Sequence, residues 1–137
     1  MGLEIVVGVA VPAAIMAAMD RSVAWRAVLL QGALVTVIAV VLGTALEDSF
    51  FVDWGWLAGP GVWGACALVT AAALRLPPLL ALAGAALSGL PSLATVLAGV
   101  HWAGTPLALL LFGVWCGWLA ARRDRAPREG GRRPVTA

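Results

Sequence analysis

The sequence contains no lysine, asparagine or tyrosine, and it is poor in charge of either sign. Charged residues make up 12% of its 137 residues, about half the share usual in a soluble globular domain. A small soluble protein needs an extensive polar surface, because a small body has a large surface for its volume. Nine arginines with seven Asp and Glu cannot cover such a surface. These absences exclude a water-soluble fold and a disordered chain.

Apolar sequence takes the place of charge: 62% of the residues are hydrophobic, and the mean hydropathy is +0.97. A helix needs about 20 apolar residues to cross a hydrocarbon core of about 30 Å. Alternation at period two is missing, so helices are the expected spanning elements. The sequence therefore predicts an all-α transmembrane helical bundle in residues 1–121. Its five spans are expected at about 3–19, 27–46, 57–76, 79–98 and 105–121.

The first segment is the weakest of these spans, because it is short and carries Glu4 and Pro12. The bundle has four spans if that segment does not cross. A cleaved signal peptide is the alternative interpretation of residues 1–20, although the expected basic start is missing. Further along, Pro77 and Pro78 cannot continue the preceding helix. They predict a tight helical hairpin between the third and fourth spans.

Arginine is distributed unevenly across the predicted topology. With five spans, all the arginines fall on one side: Arg21, Arg26, Arg75, Arg122, Arg123, Arg125, Arg128, Arg132 and Arg133. Cytoplasmic loops carry the excess of basic residues, so the amino terminus is predicted outside and the carboxyl terminus in the cytoplasm. The composition is rich in alanine and arginine and lacks lysine, which favours a prokaryotic origin and therefore a location in the cytoplasmic membrane.

The carboxyl-terminal segment 122–137 contains six arginines and no large apolar cluster. Such a composition predicts a disordered cytoplasmic tail. Two roles remain open for it: attraction to anionic lipid headgroups, or anchoring of the topology alone. The basic residues lie beside a membrane exit, so no nucleic-acid partner is expected.

A stretch rich in carboxylates and tryptophan lies between the second and third predicted spans, at residues 47–56. Close carboxylates attract cations, and a second outer loop adds a histidine and a tryptophan. The candidate substrate- or cation-binding residues are Glu47, Asp48, Asp53, Trp54, Trp56, Trp63, His101 and Trp102. The alternative is that the acidic residues mark a translocated loop and the tryptophans belong to the aromatic belt. No catalytic residue, metal or cofactor is predicted.

Two spans contain residues that disturb helices. Gly59, Pro60 and Gly61 either break the third span or mark an ordinary helix start near Pro60. In the fourth span, Pro91 is expected to kink the helix. Paired interruptions of this kind occur at transporter binding sites, but packing alone also produces kinks.

Small residues recur at the spacing that lets helices approach closely, at Gly113 and Gly117 and at Gly84 and Ser88. They predict a tight bundle and are compatible with a dimer. Cys66 and Cys116 fall inside predicted spans without a CxxC pattern, so two buried, inert thiols are expected.

These observations lead to two functional hypotheses. The first is a small non-enzymatic membrane protein, a subunit or accessory component that packs against a second copy or another membrane protein through its Gly and Ala faces. The alternative is a protein that binds or transports a small solute or cation through the outer acidic loop and the kinked spans. No span carries an ionisable residue at its centre, which argues against proton-coupled transport and intramembrane hydrolysis.

Overall fold

The computed structural model describes residues 19–97, 99 and 101–129, and this part of the chain forms four helices without a strand. The helices are α1 (Arg21–Ala45), α2 (Asp48–Ala73), α3 (Pro78–Leu97) and α4 (His101–Glu129). The prediction of an all-helical fold is confirmed for the described residues.

Within the residues that the structure describes, three helical segments are long and apolar enough to cross a membrane: Arg21–Ala45, Asp48–Ala73 and Ala103–Arg125. Helix α3 is 20 residues long, and Pro78–Pro91 is the apolar part of it whose side chains the structure describes. The predicted span at 3–19 lies outside the described residues. The structure thus supports a membrane location, whereas the count of five spans is not supported.

Helix α1 begins six residues before the predicted start at Ala27, because Asp20 caps it. The Asp20 carboxylate accepts hydrogen bonds from the backbone N–H groups of Ser22 (2.9 Å) and Val23 (3.2 Å). These two groups have no partner inside the helix, so the cap stabilises its first turn.

Helix α2 corrects the prediction of an outer loop over residues 47–56. The helix begins at Asp48 and leaves only Leu46 and Glu47 to connect it to α1. A carboxylate in the first turn, here that of Asp48, favours a helix start through the helix dipole. Asp48 and Asp53 therefore lie on the helix, and Glu47 is the residue that precedes it.

The break or helix start predicted at Gly59, Pro60 and Gly61 is also wrong. These residues lie within α2, which continues unbroken from Asp48 to Ala73. Pro91 lies inside α3, where it was expected, and the kink at this proline stays a prediction. Each proline removes one intrahelical hydrogen bond, but the helical residues on both sides keep theirs and maintain the element.

The hairpin predicted at the double proline is confirmed. Helix α2 ends at Ala73 and α3 begins at Pro78. Arg75 adopts a left-handed conformation with φ of 54°, and the N–H of Leu76 donates to the carbonyl of Ala71 (2.8 Å). The chain reverses within four residues, so α2 and α3 lie antiparallel.

The prediction of a disordered tail from Arg122 is wrong for its first half, because α4 continues to Glu129. Alanine and arginine are good helix formers, and extending an existing helix avoids the cost of nucleation. Residues 130–137 lie outside the described part of the chain.

Side-chain sizes are distributed in the manner of a membrane bundle. Small residues fill the interior: the buried hydrophobic residues are Ala24, Ala27, Cys66, Ala67, Ala71, Leu76, Ala81, Ala85, Ala108, Phe112, Cys116, Leu119 and Ala120. Large apolar side chains face outward, with Val52 82% and Leu79 79% exposed. Helices in lipid associate through small residues, whereas a soluble protein rarely exposes so large an apolar surface. This distribution supports lipid as the surrounding solvent, and both cysteines are buried as predicted.

Helix α4 packs against α1 and α3, while α2 packs against α1 and α3. The α1–α4 contact uses the predicted small-residue pair. A Cβ added to Gly117 would lie 2.8 Å from the Asp20 carbonyl oxygen, and one added to Gly113 would lie 2.9 Å from that of Ala24. Gly84 lies directly beneath the Trp115 indole. The tight packing is confirmed, and these glycines serve contacts within the chain.

Candidate functional site

A chain of hydrogen bonds between polar side chains runs through the interior of the bundle. The Gln31 side-chain amide of α1 donates to the backbone carbonyl of Trp63 on α2 (3.1 Å). The Thr70 hydroxyl donates to the Gln31 Oε1 atom (2.9 Å). Gln31 and Thr70 are completely buried. Because lipid offers no partners to such groups, the two bonds fix the α1–α2 interface.

Trp63 continues this polar chain into α3. Its indole Nε1 donates to the carbonyl of Ala85 (3.0 Å), which also accepts from the Ser88 hydroxyl (3.0 Å). The edge of its ring packs against Phe112 of α4, with centroids 6.1 Å apart. Trp63 is thus the side chain through which α2 contacts both α3 and α4.

A cleft with a volume of about 830 Å³ opens beside Trp63. Its walls carry mostly small and apolar side chains. The lining residues are Val35, Gly59, Pro60, Trp63, Gly64, Leu82, Ala85, Ala86, Gly89, Leu90, Thr105 and Ala108. The cleft therefore suits an apolar occupant with few hydrogen-bonding groups.

Some of the predicted site residues line this cleft, and the others do not. Gly59, Pro60 and Trp63 line it, and Gly89 and Leu90 bring the residues preceding Pro91 to the opposite wall. Part of the proline and glycine pattern thus lies in the wall of the cleft, and its role in binding stays a prediction. Gly61 and Pro91 themselves do not line it.

Trp63 apart, the predicted acidic and aromatic residues whose side chains the structure describes do not gather at the cleft. Glu47, Asp48 and Asp53 are exposed at the start of α2, and Trp54 and Trp56 are 54% and 74% exposed. None of these five lines the cleft.

His101 and Trp102 occupy the first positions of α4, but their side chains lie outside the described part of the chain. The described residues contain no group of three or more His, Cys, Asp or Glu that could hold a metal ion.

The sequence reasoning missed the network made by Gln31 and Thr70. A signal was available, since Gln31 is the only glutamine in the chain and lies within an apolar segment. An amide at that depth requires partners on a neighbouring helix. The sequence could not identify the partner, because Thr70 lies 39 residues away.

Segments that carry arginine, from three parts of the chain, meet at one end of the bundle. The backbone N–H of Asp20 donates to the carbonyl of Gly117 (3.0 Å), and the Arg123 guanidinium donates to the carbonyl of Arg75 (3.0 Å). The α1–α2 connection lies at the opposite end, about 36 Å away along α1. The described part of the molecule therefore has a basic end and, beside Glu47 and Asp48, an acidic end.

Comparison with known proteins gives no family assignment. No protein-family model matches the chain, and no match was found among curated proteins or solved structures.

Proposed function

We propose that this chain is a small non-enzymatic membrane subunit whose cleft beside Trp63 receives a transmembrane helix of a partner. The observation that carries the proposal is the set of small residues on facing walls, Gly59 and Gly64 on α2 against Ala86 and Gly89 on α3. Small residues permit the close backbone approach that drives helix association in lipid.

The size of the cleft supports a helix as its occupant. A helix about 10 Å across has a volume of about 420 Å³ per turn. The cleft of about 830 Å³ thus corresponds to about two helical turns. Thr105, which is exposed on α4, supplies a hydroxyl that can bond to a polar group on the partner.

A photo-crosslinking amino acid placed at Ala86 tests this proposal in native membranes. We expect a discrete adduct whose mass exceeds that of the chain by a second copy or by another membrane protein. The same probe at Val40, which is 60% exposed on α1 and does not line the cleft, is the control and is expected to give no protein adduct.

Filling the cleft provides the second arm of the experiment. The substitution Gly89→Leu adds a side chain at a position where an added Cβ would have no neighbouring atom within 4 Å, so the fold is retained. We expect the Ala86 adduct to disappear in this variant. A protein adduct of equal yield at Ala86 with and without Gly89→Leu refutes the proposal.

The alternative function, binding or transport of a small solute, is favoured by one observation. The cleft joins Gly59 and Pro60 of α2 to Gly89 of α3, which lies two residues before Pro91, so it lies between the two sequence features that predicted a transporter-like site. The cleft has no charged lining, which favours an apolar solute over a cation. An Ala86 adduct with the mass of the chain plus a small molecule supports this alternative and contradicts a partner helix.

The uneven charge of the two ends supports an orientation as part of the proposal. Because Arg21, Arg75 and Arg123 lie at one end, we propose that this end faces the cytoplasm of a prokaryotic cell and that Glu47 lies outside. A cysteine replacing Ser49 should then react with a membrane-impermeant maleimide in intact cells, whereas one replacing Thr136 should not. Equal labelling of both positions overturns the orientation.

A further inference from the structure

A second groove lies between α3 and α4 and leads toward the basic end of the bundle. It has a volume of about 410 Å³ and is lined mainly by apolar side chains, among them Leu87, Leu111, Trp115 and Trp118. It shares no lining residue with the cleft beside Trp63. Any ligand it holds is therefore independent of the proposed partner helix.

Hydrogen bonding and ring packing fix the wall of this groove. The Trp115 indole Nε1 donates to the carbonyl of Leu80 on α3 (2.9 Å). The Trp118 ring packs against that of Trp115, with centroids 5.2 Å apart. Because both indoles are held in place, the groove presents a preformed apolar wall along the last turns of α4 before its charged end.

A cation lies at the end of this wall. The Arg122 guanidinium is stacked over the Trp118 ring at 4.0 Å from its centroid. Arg122 is exposed and has no ion-pair partner among the residues that the structure describes, whereas Arg123 lies 3.6 Å from the Asp124 carboxylate. A stacked guanidinium keeps its N–H edge free and binds phosphate in a planar, two-point manner.

We propose that this groove binds one anionic phospholipid of the surrounding bilayer. An acyl chain lies along Leu87, Leu111 and Trp115, and the phosphate contacts Arg122. Tryptophan is common at the level of the lipid headgroups, and arginine interacts with the anionic surface just beyond it. Trp118 and Arg122 follow one another along α4 in this order. The charge beside the groove selects an anionic lipid over a zwitterionic one of the same chain length.

Titration of the delipidated, full-length protein in detergent tests the site, with bound lipids counted by native mass spectrometry. Phosphatidylglycerol and phosphatidylcholine with identical acyl chains are the two probes. We expect one phosphatidylglycerol to bind more tightly than phosphatidylcholine. The substitution Arg122→Gln should weaken phosphatidylglycerol binding about fivefold, the effect of one arginine near a membrane surface.

The matched control is Arg26→Gln, which removes the same charge from an exposed position on α1 outside the groove. We expect it to leave the affinity unchanged. Leu87→Trp fills the groove and should abolish tight binding of both lipids. If that variant does not fold, the comparison of Arg122→Gln with Arg26→Gln tests the proposal. The proposal is overturned if the two lipids bind equally or if the two arginine variants lose affinity equally. It is also overturned if the wild-type protein carries a second copy of the chain that Leu87→Trp displaces, because the groove is then an interface between copies.

Discussion

The substitution Phe112→Ala is expected to lower the free energy of unfolding by about 3–5 kcal/mol, the range for emptying a fully buried aromatic site. Phe112 is 0% exposed and belongs to the main core cluster. Its ring lies on α4 and contacts Trp63 of α2 edge to face. The variant therefore loses a bridge between two helices that have few other contacts. Unfolding in mixed micelles of rising SDS fraction, followed by circular dichroism, measures the loss.

The control for this prediction is Phe51→Ala, because Phe51 is 38% exposed near the start of α2. That side chain pairs with Phe50 at 5.6 Å between ring centroids, so its removal should cost at most about 1.5 kcal/mol. Equal losses in the two variants contradict the packing described for Phe112.

The substitution Gln31→Leu should lower the free energy of unfolding by about 1–3 kcal/mol. It removes the bond to the Trp63 carbonyl and deprives the Thr70 hydroxyl of its acceptor. Side-chain hydrogen bonds between transmembrane helices contribute about 0.6 kcal/mol on average and about 1.7 at most, and two are lost here. The same SDS titration measures the change.

A double-mutant cycle separates the hydrogen bond from the packing. Thr70→Val and Gln31→Leu combined should cost about 0.6–1.7 kcal/mol less than the two single losses added together. Thr44→Val is the matched control, since the Thr44 hydroxyl bonds only to carbonyls of its own helix, those of Val40 and Val41. We expect its effect to add to that of Gln31→Leu. Additive behaviour of Thr70→Val and Gln31→Leu refutes the Gln31–Thr70 bond.

The parts of the fold that depend on local sequence were predictable. Composition indicated membrane helices, and the double proline at 77 and 78 located the hairpin, because proline cannot continue a helix. The spacing of Gly113 and Gly117 indicated a close helix contact. Each of these signals acts within a few residues, so a single sequence displays it.

The wrong predictions of helix ends arose where a single residue that disfavours helix, or a charged residue, lies within a segment that otherwise continues as a helix. Pro60 disfavours one hydrogen bond, but the helical residues from Asp48 to Ala73 outweigh it. Arg122 marks the end of the apolar segment and not the end of α4, because arginine extends a helix that already exists. Charge and polarity therefore do not by themselves locate the ends of the helices.

The site was predicted only in part for a different reason. Gly59 and Pro60, which line the cleft, were identifiable because a proline flanked by glycines is unusual inside an apolar segment. The meeting of Gln31 with Thr70, and of Arg122 with the groove beside Trp118, depends on which helix faces cross in three dimensions. Such pairings between distant positions are not encoded in local composition.

The close contact between α1 and α4 has a consequence for biosynthesis. Ala24 of α1 packs against Gly113 and Gly117 of α4. Roughly 90 residues of chain therefore lie between α1 and its main partner, α4. At about 5–20 residues per second, translation takes about 5–18 seconds to cover that distance. During this interval α1 remains in the translocon or the bilayer, and α4 does not yet contact its alanine face. Completion of the bundle is therefore a late event, and a ribosome stalled before Gly113 leaves α1 without its main neighbour.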